Sequence, residues 1–406
     1  MSPTSTRTSR ARDRFAAVAA SAAAFTVLAS CAPGEEALVR RSFLETLGAD
    51  TLAIETVDRS ADRIEGRVLS RTPATAVTHY VATLGPDGRV TRFEIELVAP
   101  SDDPAGDRAV RSIAEFGDGV ATVVRSGPEG SDTVAIDTEG YALPTAGRVP
   151  LAVGLTELVA NRAIAAGEEP YAFTLVWPGR GQATPNSLSR RATGDLALDF
   201  FGNPMIVSVD AEGRLTGIDG SETTMKIQVE PIEPLTDEQL EALADGFSAR
   251  DAAGQGLGTP SPQADVAASG GGASFRVTYS RPAMRGRTIW GGLVPFGEVW
   301  RTGANAATQF TSDRDVHIGA AEVPAGTYTL WTTYTPESAT LIINRQTQIW
   351  GTAYDAEQDL ARTLLSANPL DEPLERFTIE IEGTEVGAVL HLSWDSTRYS
   401  VPITVR

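Results

Sequence analysis

Residues 91–97 read Thr-Arg-Phe-Glu-Ile-Glu-Leu, and this stretch indicates the fold class most directly. Its apolar side chains alternate with charged ones, which is the period of two expected of an antiparallel strand with one buried face. The turn-forming sequence Gly-Pro-Asp-Gly precedes it at 85–88. A second strand and turn follow the same plan at 205–209 and 210–213. The pattern predicts a mainly β fold with a curved antiparallel sheet in its first half.

This first half, residues 36–247, is expected to be an α+β domain. Val39, Phe43, Leu44 and Leu47 recur at helical spacing before Gly48, which predicts an opening helix. A second helix is predicted at 155–167. A third is predicted to start at a capping box formed by Thr236 and Gln239, and to bury Leu240, Leu243 and Phe247. The two turns continue alike, as Gly-Arg-Val-Thr and Gly-Arg-Leu-Thr. This repeated sequence fits either an internal duplication or two hairpins that acquired the same turn residues independently.

A flexible linker is predicted at 248–273, because this segment holds six Gly, two Pro and three Ser and almost no large apolar residue. Residues 274–406 then read as short strands separated by turns, the pattern of an antiparallel β-sandwich or barrel. The strands are expected at 274–280, 327–334, 339–344, 376–382, 388–394 and 399–405.

The first thirty residues have the three parts of a secretory signal peptide. Four Arg and one Asp precede residue 15, and a run of about fourteen mostly apolar residues follows. This run is shorter than the roughly 20 residues that span a bilayer. Leu28-Ala29-Ser30-Cys31 then resembles the bacterial lipobox, which implies cleavage before Cys31 and lipidation of its thiol. We expect an exported lipoprotein anchored in the cell envelope on the periplasmic side. Ala32 is not the aspartate of a known retention signal, so the outer membrane is favoured.

The amino-acid composition excludes several kinds of functional site and one class of partner. Cys31 is the only cysteine, which excludes an internal disulfide, a Cys-rich zinc site and cysteine catalysis in the mature chain. Removing four Arg and one Asp with the signal peptide changes the formal net charge from −19 to −22. A chain this acidic repels phosphate backbones, so no nucleic-acid partner is expected.

Several short motifs of the second half form a recognisable set. They are Tyr279-Ser280-Arg281-Pro282, Gly286-Arg287, the 291–297 segment Gly-Gly-Leu-Val-Pro-Phe-Gly, the 300–308 block Trp-Arg-Thr-Gly-Ala-Asn-Ala-Ala-Thr, Pro324–Tyr328, Asn344, Trp350-Gly351 and Tyr354-Asp355. Together they resemble the bacterial family called domain of unknown function 2911, over nearly all of residues 274–406. The resemblance implies a β-rich envelope domain without an established activity.

The 300–308 block is the best candidate for a ligand site. Gly303 and the alanines around it permit a tight loop with close backbone approach. Trp300 and Trp350 could offer flat apolar faces to a ligand, and the remaining candidates could offer directional hydrogen bonds. These polar candidates are Arg287, Arg301, Asn305 and Asp355. Such a set suits a small molecule, a sugar, a peptide or a carboxylate. The alternative is that Trp300 is core and that Arg301 pairs with Asp355.

The sequence contains only weak indications of a metal site or of a catalytic nucleophile. The three histidines, His79, His317 and His391, include no helical metal-binding pair, and a site joining the last two is the best that they offer. No Gly-x-Ser-x-Gly elbow occurs, and no cofactor is implied.

Three hypotheses follow. The first is a non-enzymatic envelope lipoprotein whose C-terminal domain binds a small ligand or a partner. The second is a carrier of an apolar, lipid-like ligand in the N-terminal domain. The third is an envelope hydrolase that uses Arg301, Asn305 and Asp355.

Overall fold

Fifteen strands form the first sheet within the part of the chain that the structure describes. The computed structural model describes residues 39–98, 111–128, 130–146, 152–200 and 203–406. The predicted signal peptide and Cys31 lie outside these residues. The strands are β1 (Val39–Leu47), β2 (Asp50–Arg59), β3 (Arg63–Ser70), β4 (Ala76–Leu84), β5 (Val90–Val98), β6 (Arg111–Gly117), β7 (Val120–Gly127), β8 (Gly130–Asp137), β9 (Tyr141–Pro144), β10 (Tyr171–Trp177), β11 (Gln182–Arg190), β12 (Leu196–Phe200), β13 (Asn203–Val209), β14 (Leu215–Asp219) and β15 (Ile227–Ile232).

Neighbouring strands of this sheet are antiparallel, except that β9 and β10 run parallel. Their order is β8-β7-β6-β5-β4-β3-β2-β1-β15-β14-β13-β12-β11-β10-β9. The sheet curls until its ends approach each other: a methyl group added at Gly181, just after β10, would lie 2.9 Å from Nη1 of Arg125 in β7 and 3.1 Å from a methyl of Val134 in β8. The predicted curved sheet is confirmed.

Helix α1 (Val153–Ala166) confirms the second predicted helix, and it lies on the concave face of the sheet. Nine of its fourteen residues are buried, and the buried apolar ones pack with Phe43, Tyr80 and Phe93 in one core cluster.

Helix α2 (Asp237–Ala252) packs on the other face of the same strands. Thr236 and Gln239 form the predicted capping box, with hydrogen bonds of 3.2 and 2.8 Å. Leu240 is buried against Ile54 and Leu69, and the rest of its apolar stripe joins that cluster. The third predicted helix is confirmed.

The second sheet contains the remaining strands of the described residues. They are β16 (Gln263–Gly270), β17 (Ala273–Ser280), β18 (Val299–Trp300), β19 (Thr308–Ser312), β20 (Val316–Ile318), β21 (Ala321–Val323), β22 (Gly326–Tyr334), β23 (Ala339–Asn344), β24 (Asp359–Thr384) and β25 (Gly387–Val405). Their order is β16-β17-β19-β22-β23-β24-β25-β20-β21, with β18 paired to β22. All six segments expected to be strands lie in this sheet, and the last two of them, 388–394 and 399–405, are both parts of β25.

This sheet folds over on itself around one core. The long strand β24 pairs with β23 through its first part and with β25 beyond it, with irregular register between Pro369 and Thr378. Across the core, the hydroxyl of Tyr279 in β17 accepts a 2.9 Å hydrogen bond from the amide of Ile379 in β24. Phe310, Leu330, Leu390 and Trp394 fill the space between the two layers.

The predicted opening helix is wrong, because these residues form β1. Phe43, Glu45 and Leu47 face the concave core, while Leu44 packs towards α2 on the opposite face. A strand buried on both faces shows no clean alternation, and its apolar residues then mimic helical spacing. Gly48 is the left-handed residue (φ +61°) of the turn between β1 and β2 rather than a helix stop.

The linker prediction is also corrected at both ends. Helix α2 continues to Ala252, and strand β16 begins at Gln263 and pairs with β17. Ala264, Val266 and Ala268 alternate with polar residues and pack against the second core. Their small side chains hid this strand within a composition typical of linkers. The division of the chain into two domains at this segment remains a prediction.

The turn between β1 and β2 joins the two sheets. The amide of Ala49 donates a 2.8 Å hydrogen bond to the carbonyl of Arg285. The side chain of Arg285 is buried and pairs with Asp50. A methyl group on Gly48 would lie 2.3 Å from the same carbonyl, so only glycine fits there. In the described part of the chain, no helix is long and apolar enough to cross a membrane.

Candidate functional site

The 300–308 block forms the tight loop that its small residues predict. Strand β18 ends at Trp300, and the loop then turns through Thr302 and Asn305, which both have positive φ. Thr302 is fully buried, and its carbonyl accepts a 2.7 Å hydrogen bond from the hydroxyl of Thr308. A buried hydrogen bond within the loop therefore stabilises it, and its conformation does not depend on a bound ligand.

Trp300 is partly buried and packs against the second core. Its ring is 5.1 Å from that of Phe377 and 5.8 Å from that of Trp394, measured between centroids. Tyr334 completes this group at 6.1 Å. This packing agrees with the alternative that Trp300 is core, and a ligand-binding role for its ring stays a prediction.

The side chain of Arg301 has no polar partner among the described residues. Its side chain is half-buried, and that burial lowers the pKa of its guanidinium. No ion pair joins it to Asp355. Its aliphatic stem lies over Gly351, where an added methyl group would be 2.3 Å from Cδ of Arg301. A half-buried guanidinium without a hydrogen-bond acceptor carries a desolvation cost that no described residue offsets.

Backbone contacts place Asn305 and Trp350 next to Arg301. The carbonyl of Asn305 accepts a 3.0 Å hydrogen bond from the amide of Gly351, and Ala306 bridges to Trp350. Trp350 is 52% exposed, so its ring is open to solvent. The side chain of Asn305 donates to the carbonyl of Ser261 at 3.3 Å. The structure thus brings together three of the six predicted site residues.

The carboxylate of Asp355 forms its hydrogen bond within its own loop. Its carboxylate accepts a 2.9 Å hydrogen bond from the amide of Glu357 at the start of a short 3-10 helix, Ala356–Gln358. Behind it, the carboxylate of Asp359 accepts from the side-chain amide of Asn344 at 3.0 Å and from the hydroxyl of Tyr354 at 2.8 Å. These contacts hold the 345–358 loop over Trp331.

Arg287 lies on the side that faces the first sheet. Its Nε and Nη2 donate to the carbonyls of Met284 and Ala283 at 3.0 and 2.7 Å. A methyl group on Gly48 would lie 3.1 Å from its Cγ. Arg287 therefore stands at the junction of the two sheets, and burial lowers its pKa.

Residues 261–403 match the family described as protein of unknown function (DUF2911). The resemblance inferred from the motifs of residues 274–406 is confirmed. The match starts ahead of β16, so the strand inside the predicted linker belongs to the DUF2911 region. Among curated proteins, no match was found.

The histidines are spread over both sheets. Nε2 of His79 lies 2.7 Å from Glu65 in the first sheet. In the DUF2911 region, His317 lies 3.7 Å from Glu322, while Nδ1 of His391 lies 2.7 Å from the hydroxyl of Ser400. The described residues contain no group of three His, Cys, Asp or Glu side chains that could hold a metal ion.

A cavity of about 350 Å³ opens on the first sheet, and the sequence analysis did not predict it. Ile95 and Leu97 of β5 form one wall, and Trp177 at the end of β10 forms the other. Thr259 and Pro260, from the segment that joins the two sheets, close a side of it. Its further lining residues are Thr72, Pro73, Thr78, Ser112, Thr145, Pro178, Gly179 and Arg180. The one sequence signal was Trp177-Pro178-Gly179-Arg180, an aromatic residue beside a turn.

A second cavity of about 260 Å³ lies near the start of α1, and ion pairs occupy its wall. The carboxylate of Glu157 accepts from Arg41 at 2.5 Å and from Arg59 at 2.9 Å. The amide of Leu215 donates to it at 2.6 Å. Because these charges satisfy one another, this cavity is a weaker ligand candidate than the first.

Two carboxyls are buried in the first core. The amides of Val153 and Gly154 donate to Glu55 at 2.7 and 3.2 Å, so this strand residue caps α1. Burial raises the pKa of Glu55 to about 7. Burial and the charge of Glu55 also raise the pKa of Glu45 to about 7.

Proposed function

We propose that the chain is a non-enzymatic cell-envelope lipoprotein that binds a small apolar or amphipathic ligand in the cavity of the first sheet. The observation that carries this proposal is the cavity between β5 and Trp177, about 350 Å³ in volume. This size lies within the roughly 300–1,000 Å³ of small-ligand pockets. The proposal moves the ligand from the 300–308 block, where the sequence placed it first, to the N-terminal domain.

The lining indicates the chemistry of the ligand. Ile95, Leu97 and the ring of Trp177 give apolar surface, and threonine and serine hydroxyls are interspersed among them. Arg180 carries the only charge among the described lining residues, and it lies over the Trp177 ring at 5.2 Å. Such a lining suits a ligand with an apolar body and one polar or anionic end.

The envelope location rests on the lipobox at Cys31, which lies outside the described residues. We propose a lipid anchor there, with the outer membrane favoured because Ala32 follows. Cys31→Ser should leave the protein unlipidated, so that salt washing releases it from membranes, since multiple acyl chains hold firmly and none would remain. A variant that stays with the membrane through high-salt washing would contradict the anchor.

The ligand can be tested by extraction and by substitution. Protein purified without its signal peptide and cysteine should carry an extractable small molecule that mass spectrometry detects. Gly179→Phe should fill the cavity, because a side chain at Gly179 meets no atom within 4 Å, and we expect about a tenfold loss of affinity for a fluorescent fatty acid. Gly117→Phe is the matched control, since Gly117 is equally open but does not line the cavity. Equal affinity of both variants, or no binding by the parent protein, would refute the carrier.

The hydrolase hypothesis has less support. It requires Arg301, Asn305 and Asp355 to act on one substrate, but no hydrogen bond or ion pair joins their side chains within the described residues. Loss of a measured hydrolytic activity in Asp355→Ala would restore it.

A further inference from the structure

We infer that the cavity between β5 and Trp177 selects a hydroxylated fatty acid, a carboxylate whose apolar chain carries a hydroxyl group. This inference rests on the proposed function, since it concerns the ligand of the same cavity. Thr78 and Ser112, two buried residues of the cavity wall, recognise the hydroxyl on the chain, and Arg180 at an exposed position holds the carboxylate.

One wall of the cavity is a continuous patch of side chains from strands β4, β5 and β6. Thr78 in β4 pairs with Leu97 in β5, and Ile95 in β5 pairs with Ser112 in β6. All four side chains line the cavity. Directly paired residues on one face of a sheet have Cβ atoms about 5 Å apart. Each hydroxyl of this wall therefore lies beside an apolar side chain.

The two wall hydroxyls have no partner in the described protein. Thr78 and Ser112 are each 2% exposed, yet neither side chain forms a hydrogen bond with a described residue. Buried polar groups are nearly always hydrogen-bonded, because leaving one unpaired costs free energy. A plain alkyl chain in the cavity would leave both hydroxyls unpaired. A hydroxyl group on the chain can donate or accept, as the wall hydroxyls can, so it can pair with either of them.

The opposite wall carries an aromatic ring and a third hydroxyl. The amide of Thr145 donates a 2.9 Å hydrogen bond to the carbonyl of Val176, which places Thr145 beside Trp177. Nε1 of Trp177 donates to the hydroxyl of Thr184 at 3.2 Å, so the polar atom of the indole is satisfied within the protein. The ring then offers its apolar surface to the cavity. A ligand chain between this ring and β5 contacts apolar groups on both sides.

Arg180 fixes the orientation of the ligand. Its side chain is exposed, its guanidinium lies 5.2 Å from the centroid of the Trp177 ring, and no described carboxylate pairs with it. Planar guanidinium groups bind carboxylates through paired hydrogen bonds. Because this cation is exposed and the hydroxyls of Thr78 and Ser112 are buried, the carboxylate of the ligand faces solvent and its hydroxylated chain lies inside.

The test compares decanoate with a series of hydroxydecanoates that differ in the position of the hydroxyl, by calorimetry on the signal-free protein. The parent should bind at least one hydroxydecanoate about tenfold more tightly than decanoate, because decanoate leaves the wall hydroxyls unpaired. The double variant Thr78→Val, Ser112→Ala should bind the two ligands with equal affinity. Thr56→Val is the matched control, since Thr56 is 3% exposed but does not line the cavity, and it should keep the ratio of the parent.

Thr78→Ser retains the hydroxyl and should also keep this ratio, which does not depend on the fraction of folded protein. Arg180→Gln should weaken the binding of decanoate and of the hydroxydecanoate alike, by about tenfold, and leave their ratio unchanged.

Two results would overturn the inference while the carrier stands. The first is a parent protein that binds decanoate as tightly as every hydroxydecanoate, and the second is a double variant that keeps the ratio of the parent. If the parent binds no member of the series, the carrier itself is wrong, and the choice of ligand falls with it.

Discussion

The hydroxyl of Tyr80 donates a 2.7 Å hydrogen bond to Oε1 of Glu55, and both side chains are buried in the core of the first sheet. The same carboxyl caps α1 through the amides of Val153 and Gly154. One carboxyl therefore joins β2, β4 and the helix that fills the concave face. Because every donor around it is buried, the free energy of unfolding should be sensitive to each of them.

Removing the hydroxyl tests this arrangement. Tyr80→Phe should lower the free energy of unfolding by about 1–2 kcal/mol, since a buried hydrogen bond to the carboxyl is lost. It should also raise the pKa of Glu55 further, because that hydrogen bond lowers it. Urea unfolding measures the first effect. Tyr399→Phe is the control, since the hydroxyl of Tyr399 has no hydrogen bond with a described residue, and a change as large there would contradict the assignment.

The raised pKa of both buried carboxyls predicts a pH dependence of stability. Between the ordinary value of 4.5 and about 7, the folded protein holds protons that the unfolded chain has released. Stability from this source is therefore present in acid and decreases as pH rises through 7, by roughly 3 kcal/mol at most for each carboxyl. Glu45→Gln keeps the side-chain volume but cannot carry the charge. Its free energy of unfolding should therefore gain more over that of the parent at about pH 8 than at about pH 5.5. Urea melts at both pH values measure this gain, and an equal difference at the two would contradict the prediction.

The fold class was predictable because most strands have one buried face. The pattern at 91–97 became β5, and the repeated turns close the β4–β5 and β13–β14 hairpins. The opening segment was not predictable in the same way. Glu45 is 8% exposed there, so a charged residue occupies a core position, and the alternation rule fails where a polar group is buried.

The candidate site was predictable only in part. The 300–308 block forms the tight loop that the sequence predicts, and Trp350 lies against it beside Arg301 and Asn305. A ligand site there stays a prediction. The sequence could not separate core from pocket for Trp300, because a tryptophan beside polar residues has the same local pattern in both. The cavity at Trp177 could not be predicted, since its lining comes from segments that are distant in sequence.

Stability measurements can separate the structural and recognition roles of this block. Trp300→Ala should cost about 3–5 kcal/mol, as should Trp394→Ala, because each removes a large ring from the second core. Arg301→Ala should cost less than about 1 kcal/mol, since no ion pair or hydrogen bond is broken in the described structure. Urea midpoints of the three variants decide the matter. A loss at Arg301 comparable with that at Trp394 would make the guanidinium part of the scaffold.

The close packing of Tyr80 on β3 permits a further test. Gly66 pairs with Tyr80 across the strands, and a methyl group added to Gly66 would lie 2.2 Å from the ring. The ring cannot retreat easily, because Glu55 holds its hydroxyl and Gly154 lies beneath it, where an added methyl group would be 3.0 Å from the hydroxyl oxygen.

Gly66→Ala should therefore destabilise the protein by about 3 kcal/mol, at the upper end of the usual cost of overpacking. Gly117→Ala is the matched control, since a methyl group there meets no atom within 4 Å, and it should change the free energy of unfolding by less than about 0.5 kcal/mol. Tyr80→Ala should reduce the added cost of Gly66→Ala in the double variant, because the two residues contact each other and their effects should not add. Additive losses in this cycle, measured by urea unfolding, would show that the ring is free to move and that Tyr80 does not fix β3, β4 and α1 to one another.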